Sequence, residues 1–161
     1  MGKALDAYRR YRELVAHGQF DRLTEVLDER WVENCLGLTG WTVGLDVALA
    51  NLQAGFGQAF SNLESTEHDV VEEGDTLVIR AENTGLHTGR FLDLEPTGRR
   101  VSWEVLDMYK LGPDGRLNWH LLATDWNLVR LQLLGQAPDL PTTPSRRAVQ
   151  VEHAHHGSAP R

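Results

Sequence analysis

The sequence predicts an α+β fold, on two observations. Up to about residue 60 the apolar residues recur at helical spacing. Beyond it, two stretches alternate with period two around runs of turn formers, Glu72-Glu73-Gly74-Asp75 and Gly112-Pro113-Asp114-Gly115. Helices first and hairpins after, rather than interleaved units, argue for helices gathered on an antiparallel sheet. A length of 161 residues with 41% hydrophobic content suits one domain around one core.

The elements follow in order. Leu5, Tyr8, Arg12 and Val15, with Leu14 beside them, place a first helix over Ala4 to Ala16, ended by Gly18. Leu23, Val26, Leu27 and Trp31 place a second over Phe20 to Trp31, with Asn34 where it ends. From Val32 to Gly44 the pattern lapses, and three glycines around Trp41 suggest a loop or short strand. Ala48, Leu52, Phe56 and Phe60 recur every fourth residue, so a third helix is expected over Leu45 to Phe60, weakened late by Gly55 and Gly57. Ser65 to Val71 and Thr76 to Ala81 then read as a hairpin, in which Leu77, Ile79 and Ala81 share a parity with Asn83 and His87 unless Gly85 marks a bulge. Arg99 to Asn127 reads as a second, longer hairpin.

Parity within this second hairpin singles out two carboxylates. Val101, Trp103, Val105, Tyr109 and Leu111 share the odd positions of its first strand with Asp107. Leu117, Trp119, Leu121 and Ala123 share those of its second with Asp125. A carboxylate on an apolar face is costly to ionise, which is how a general acid or base is tuned to work near neutral pH. His87, between Gly85 and Gly89, is a third candidate, since glycines let the backbone turn an imidazole toward a cavity.

Composition narrows the partners. Sixteen Lys plus Arg against twenty-three Asp plus Glu give a net charge of −7, a balance that disfavours nucleic acid and anionic membranes. One cysteine, Cys35, forms no internal disulfide and reads as a small buried thiol, and the charged first residues do not resemble a secretion signal. A cytoplasmic protein is expected. From Ala137 the chain turns to Pro, Thr and Ser and ends in a polar tail with His153, His155 and His156, so residues 1–136 are expected to form the domain. Residues 137–161 are expected to be disordered or to form an arm, without a metal site.

The run Gly85-Leu86-His87-Thr88-Gly89, then Phe91 to Arg99 with Pro96-Thr97-Gly98-Arg99, an Asp-x-Tyr strand, and an aspartate before a segment ending Leu-Gly resembles the SnoaL-like polyketide cyclases over about residues 4–135. The resemblance implies a cone-shaped α+β barrel of the nuclear transport factor 2 type, in which three N-terminal helices pack on a curved, mostly antiparallel sheet around a pocket. It also implies cofactor-free and metal-free aldol ring closure on an aromatic polyketide. In that correspondence Asp125 is the acid/base residue, and Asp107 matches an aspartate of cofactor-independent hydroxylases of anthracycline-type substrates. His87 matches the glycine-flanked histidine and Asn34 a polar position at the pocket mouth. Where many relatives carry Glu-His-Trp before the final aspartate, this chain has Trp119-His120-Leu121. The arginine and two aspartates of limonene epoxide hydrolases are not evident.

Such a reaction needs a base for a proton between two carbonyls and hydrogen bonds for the resulting enolate. Asp125 is the expected base, and Asn34, His87 and Tyr109 are candidates to hold the enolate oxygen. Trp41, Trp103 and Trp119 would offer flat surface to a polycycle. A non-catalytic binding module of the same fold is the other reading. Leu106, Met108, Leu122 and Trp126, on the even face of the long hairpin, are more apolar than a solvated face usually is, and they point to a homodimer or homotetramer.

Overall fold

The computed structural model describes residues 2–54 and 56–138, without the side chains of residues 54–57. The order is α1 (Lys3–Ala16), a 3-10 turn (Phe20–Glu25), β1 (Leu27–Cys35), β2 (Trp41–Val43), α2 (Leu45–Ala54), α3 (Phe56–Ala59), β3 (Phe60–Glu73), β4 (Thr76–His87), β5 (Arg100–Leu111), β6 (Leu117–Ala123) and α4 (Trp126–Leu134). The strands make one curved sheet in the order β2-β1-β6-β5-β4-β3. Its neighbours are antiparallel except β1 and β6, which run parallel. The expected tail, with its histidines, lies outside the described residues.

Two expected helices are corrected. The second shrinks to the 3-10 turn, and Leu27 onward is strand. Leu27 and Trp31 are four apart, a spacing that serves a helix and a period-two strand equally, so backbone pairing with β6 decides. The third is described as two pieces, Leu45–Ala54 and Phe56–Ala59, and Phe60 opens β3 opposite His87. Both expected strands of the first hairpin are longer than predicted. Gly85 marks no bulge between β4 and β5, whose register is unbroken from Thr76↔Lys110 to Leu86↔Arg100. Parity on β4 therefore holds, and Leu77, Ile79, Ala81 and His87 are all buried.

The concave face of the sheet carries the core. Ala4, Tyr8 and Leu14 of α1, Leu45 and Ala48 of α2, and Val129 and Leu133 of α4 are buried with it. Gly2 lacks a side chain to cap α1; Glu72 of β3 does so instead, its Oε1 accepting from Ala4 N at 2.9 Å and Leu5 N at 3.4 Å. That contact ties α1 to the sheet, and the phenols of α1 lie over β5 as a result.

The long hairpin holds the register that matters most. Beside its turn, where Gly115 has φ +81°, odd faces odd in the pair Leu111↔Leu117. The register shifts between Lys110 and Leu111, and from there Tyr109 faces His120 and Asp107 faces Leu122. Paired residues share a face, so the inward residues of β6 are even-numbered. The expectation that odd residues of both strands share one face fails for this reason.

Candidate active site

On the concave face, β5, β6 and β1 bring together Asp107, His120 and Glu33. His120 Nε2 lies 2.8 Å from Asp107 Oδ1 and its Nδ1 lies 3.9 Å from Glu33 Oε2. Trp31 Nε1 donates to the same Glu33 oxygen at 2.9 Å. The His120 ring stacks on Tyr109 with centroids 4.5 Å apart and planes 7° apart. Tyr8 approaches Tyr109 at 5.1 Å from α1. The side chains of Asp107 and His120 are 13% and 14% exposed, beside the rings of Tyr109 and Trp31.

Burial alone would pull the His120 pKa down, but the hydrogen bond to Asp107 and the Glu33 carboxylate outweigh it and hold it at about 9. Glu33 responds in kind: burial raises it, and the contacts with His120 and Trp31 bring it below its ordinary value. Burial pushes Tyr11 up to about 12 and Tyr109 well above its usual range, with Arg12 opposing both, so these phenols stay protonated as donors. Burial likewise pushes the Cys35 thiol up to about 12, as suits an inert thiol.

A pH dependence follows. The His120 pKa is raised in the fold, so its stabilising contribution is complete below the ordinary 6.5 and is lost as pH rises through about 9. The difference corresponds to about 3 kcal/mol. Urea unfolding of the wild type should show a decline of this order between those pH values, and Asp107→Asn should make it shallower. A wild-type profile that is already flat would contradict the assignment.

The other expected site residues lie elsewhere. Asp125 is not on the strand; it is the N-cap of α4, exposed, with Oδ1 accepting from Leu128 N at 2.9 Å. His87 is fully buried at the far end of β4, eight residues beyond Ile79, the partner of Asp107, or about 26 Å along the strand. Thr97 N donates to its Nδ1 at 3.1 Å, which leaves the ring proton of the neutral form on Nε2, an atom with no partner among the described residues. Burial lowers the His87 pKa. His87 therefore pins the loop that holds Thr97 and does not meet Asp107.

Gly85 and Gly89 serve close approach rather than a turn. A Cβ on Gly85 would meet Leu63 and Phe60 side chains, and one on Gly89 would sit 2.0 Å from the Gln58 carbonyl oxygen. Trp103 is buried near His87, its ring 5.2 Å from Phe60. Trp41 and Trp119 pair with each other on the convex face, where Trp41 is 57% exposed and Lys110 lies over Trp119. They are not ligand wall on the concave side. Asn34, paired with Trp41 and Leu121, alternates away from Glu33 and Cys35, and its buried Oδ1 makes no hydrogen bond among the described residues. Of the expected binding residues, Tyr109 alone stands beside Asp107.

Sequence reasoning missed His120, Glu33 and Trp31. Pairing the long hairpin with one slipped residue would have set His120 against Tyr109. The alternation Trp31, Glu33, Cys35 would have marked β1 as a strand with an inward carboxylate.

A model of the family described as SnoaL-like polyketide cyclase matches residues 5–133. A solved structure from Jannaschia sp. CCS1, assigned as a SnoaL-like polyketide cyclase, is 24% identical, covers 84% of this chain and 93% of its own, and has a TM-score of 0.74. AclR from Streptomyces galilaeus, assigned as a hydroxylase, is 20% identical over 86% of this chain and 84% of its own, with a TM-score of 0.68. IdmH from Streptomyces antibioticus, assigned as a polyketide cyclase, is 23% identical over 84% and 98%, with a TM-score of 0.64. No curated protein matches the sequence. The shared fold is the expected cone-like α+β architecture.

Proposed function

The chain belongs to the SnoaL-like polyketide cyclase family, and from that premise we propose that it closes a ring on a polyketide by an intramolecular aldol reaction in which protein side chains move the protons. The observation that carries this reading is the Asp107–His120 contact of 2.8 Å inside an aromatic wall. With its pKa at about 9, His120 is a cation at neutral pH, suited to hold an enolate oxygen and to protonate the alkoxide formed when the carbon–carbon bond closes.

Asp125 is the proposed base. Its Oδ1 is taken by the α4 cap, and the other oxygen is left for a substrate proton. Asp125 follows Leu122, the partner of Asp107, by three residues, just past the end of β6. Tyr109 and the neighbouring phenols would face the flat substrate.

The test is turnover of an aromatic polyketide methyl ester with and without oxygen. Cyclised product should form equally under nitrogen, with no oxygen consumed. Product that stops under nitrogen would move the assignment to hydroxylation, the reading that Asp107 keeps open.

Assembly is a separate expectation. Leu122 faces inward and Trp126 is buried, so neither adds to an outer patch. Leu106, 52% exposed, together with Trp41 and Val43, still leaves the convex face apolar. Sedimentation at micromolar concentration should give at least twice the monomer mass of 18.1 kDa, and a monomer would refute it.

A further inference from the structure

Both ring nitrogens of His120 face carboxylates, Asp107 at Nε2 and Glu33 at Nδ1. A neutral imidazole has one N–H and can serve only one of them; the cation serves both. Glu33 is not there by chance of a flexible chain. It is the β1 residue directly opposite His120 in the parallel pairing, and Trp31 Nε1 holds at 2.9 Å the same oxygen that faces Nδ1. Tyr109 closes one face of the ring.

The charged and titratable groups around the imidazole come from three elements. Tyr8, Tyr11 and Arg12 come from α1, Glu33 and Cys35 from β1, and Asp107 and Tyr109 from β5, with His120 itself on β6. The phenols and the thiol are neutral, and Arg12 is exposed at the rim. Glu33 and Asp107 are thus the two anions that act on the ring. Asp107 lies on the strand that also carries Tyr109; Glu33 reaches it from the opposite side of β6.

We infer that Glu33, anchored by Trp31, is a positioning residue that fixes the His120 ring and keeps it cationic, so that it acts as the proton donor in the ring closure proposed above. Glu33 itself transfers no proton to substrate. Its role passes through His120, in the way a carboxylate orients an imidazole in a catalytic triad.

The experiment is an NMR titration of the His120 imidazole in the full chain, wild type against Glu33→Gln and Trp31→Phe, with pH profiles of kcat and KM alongside. In Glu33→Gln the His120 midpoint should fall by about 1 pH unit or more. Trp31→Phe, which keeps the carboxylate and frees it, should lower it less. The alkaline limb of kcat should move with the midpoint while KM changes less than about twofold. A His120 midpoint unchanged in Glu33→Gln overturns the inference, and so does one unchanged in Trp31→Phe should Glu33→Gln fail to fold. The titration needs no substrate. A midpoint that falls as expected in a protein that turns over no polyketide would therefore sustain the coupling between Glu33 and His120 and sink only the cyclase reading on which its catalytic meaning rests.

Discussion

Asp125→Asn should lower turnover by about 10²- to 10⁴-fold, the usual cost of losing a general base, while its melting temperature stays close to wild type. Asparagine caps a helix as well as aspartate does, so the bond to Leu128 N at the start of α4 survives and only the basicity is removed. Asp107→Asn should cost less, about tenfold. Its partner His120 keeps Glu33 and with it a share of its charge. The double variant should fall well short of the product of the two losses, because both residues act in one ring closure. Undiminished turnover in Asp125→Asn would remove it from the mechanism and leave the Asp107–His120 pair to supply both base and acid. In a hydroxylase, by contrast, both single variants would be equally disabled and both would depend on oxygen.

Gly89→Ala should be the most damaging single change outside the site. The added Cβ would lie 2.0 Å from the Gln58 carbonyl oxygen and 3.2 Å from Ala59 Cα, both backbone atoms. No rotamer relieves such a contact. The N–H groups of Thr88 and Gly89 both reach the Ala59 carbonyl at 3.0 Å, so moving the chains apart would also break the bonds that fasten the start of β3 to the end of β4. A loss of about 2 to 4 kcal/mol is expected, or a melting temperature lower by about 10 °C. Gly98→Ala offers a contrast: its φ is +67° and nothing lies within 4 Å of the added carbon. Its cost should be limited to backbone strain of about 1 kcal/mol. If Gly89→Ala melts like the wild type, close packing is not why glycine stands there.

The fold class could be read from the chain because its main signals are local. The glycine-centred turns at Gly74 and Gly115 and the parity of Leu77, Ile79 and Ala81 depend on neighbours a few residues away, and they survive in the structure. What failed depends on distant partners. Leu27 and Trp31 obey two periodicities at once, and only the backbone of β6, about ninety positions on, selects the strand. The site was half visible for the same kind of reason. Asp107 and Tyr109 sit on a strand whose parity is unbroken. His120 was hidden by one slipped residue at Lys110, and Trp119 was assigned to the wrong face by that same slip. His87 was conspicuous for the glycines beside it, but those glycines admit the packing of Phe60 and the Ala59 backbone, and the imidazole serves Thr97.

The parallel pairing of β1 with β6 also governs when the molecule can form. Glu33 and His120 meet only there, and the two strands enclose all of the remaining sheet between them in sequence. Contacts of such separation pay a large loop-closure cost before they return any energy, so they are expected late in folding. On the ribosome the β3–β4 hairpin can zip as it emerges, while β1 must wait, with one edge unpaired, until β6 has been synthesised. During that interval the apolar side chains of β1 and β2 are a surface for wrong partners, and the Glu33–His120 contact does not yet exist.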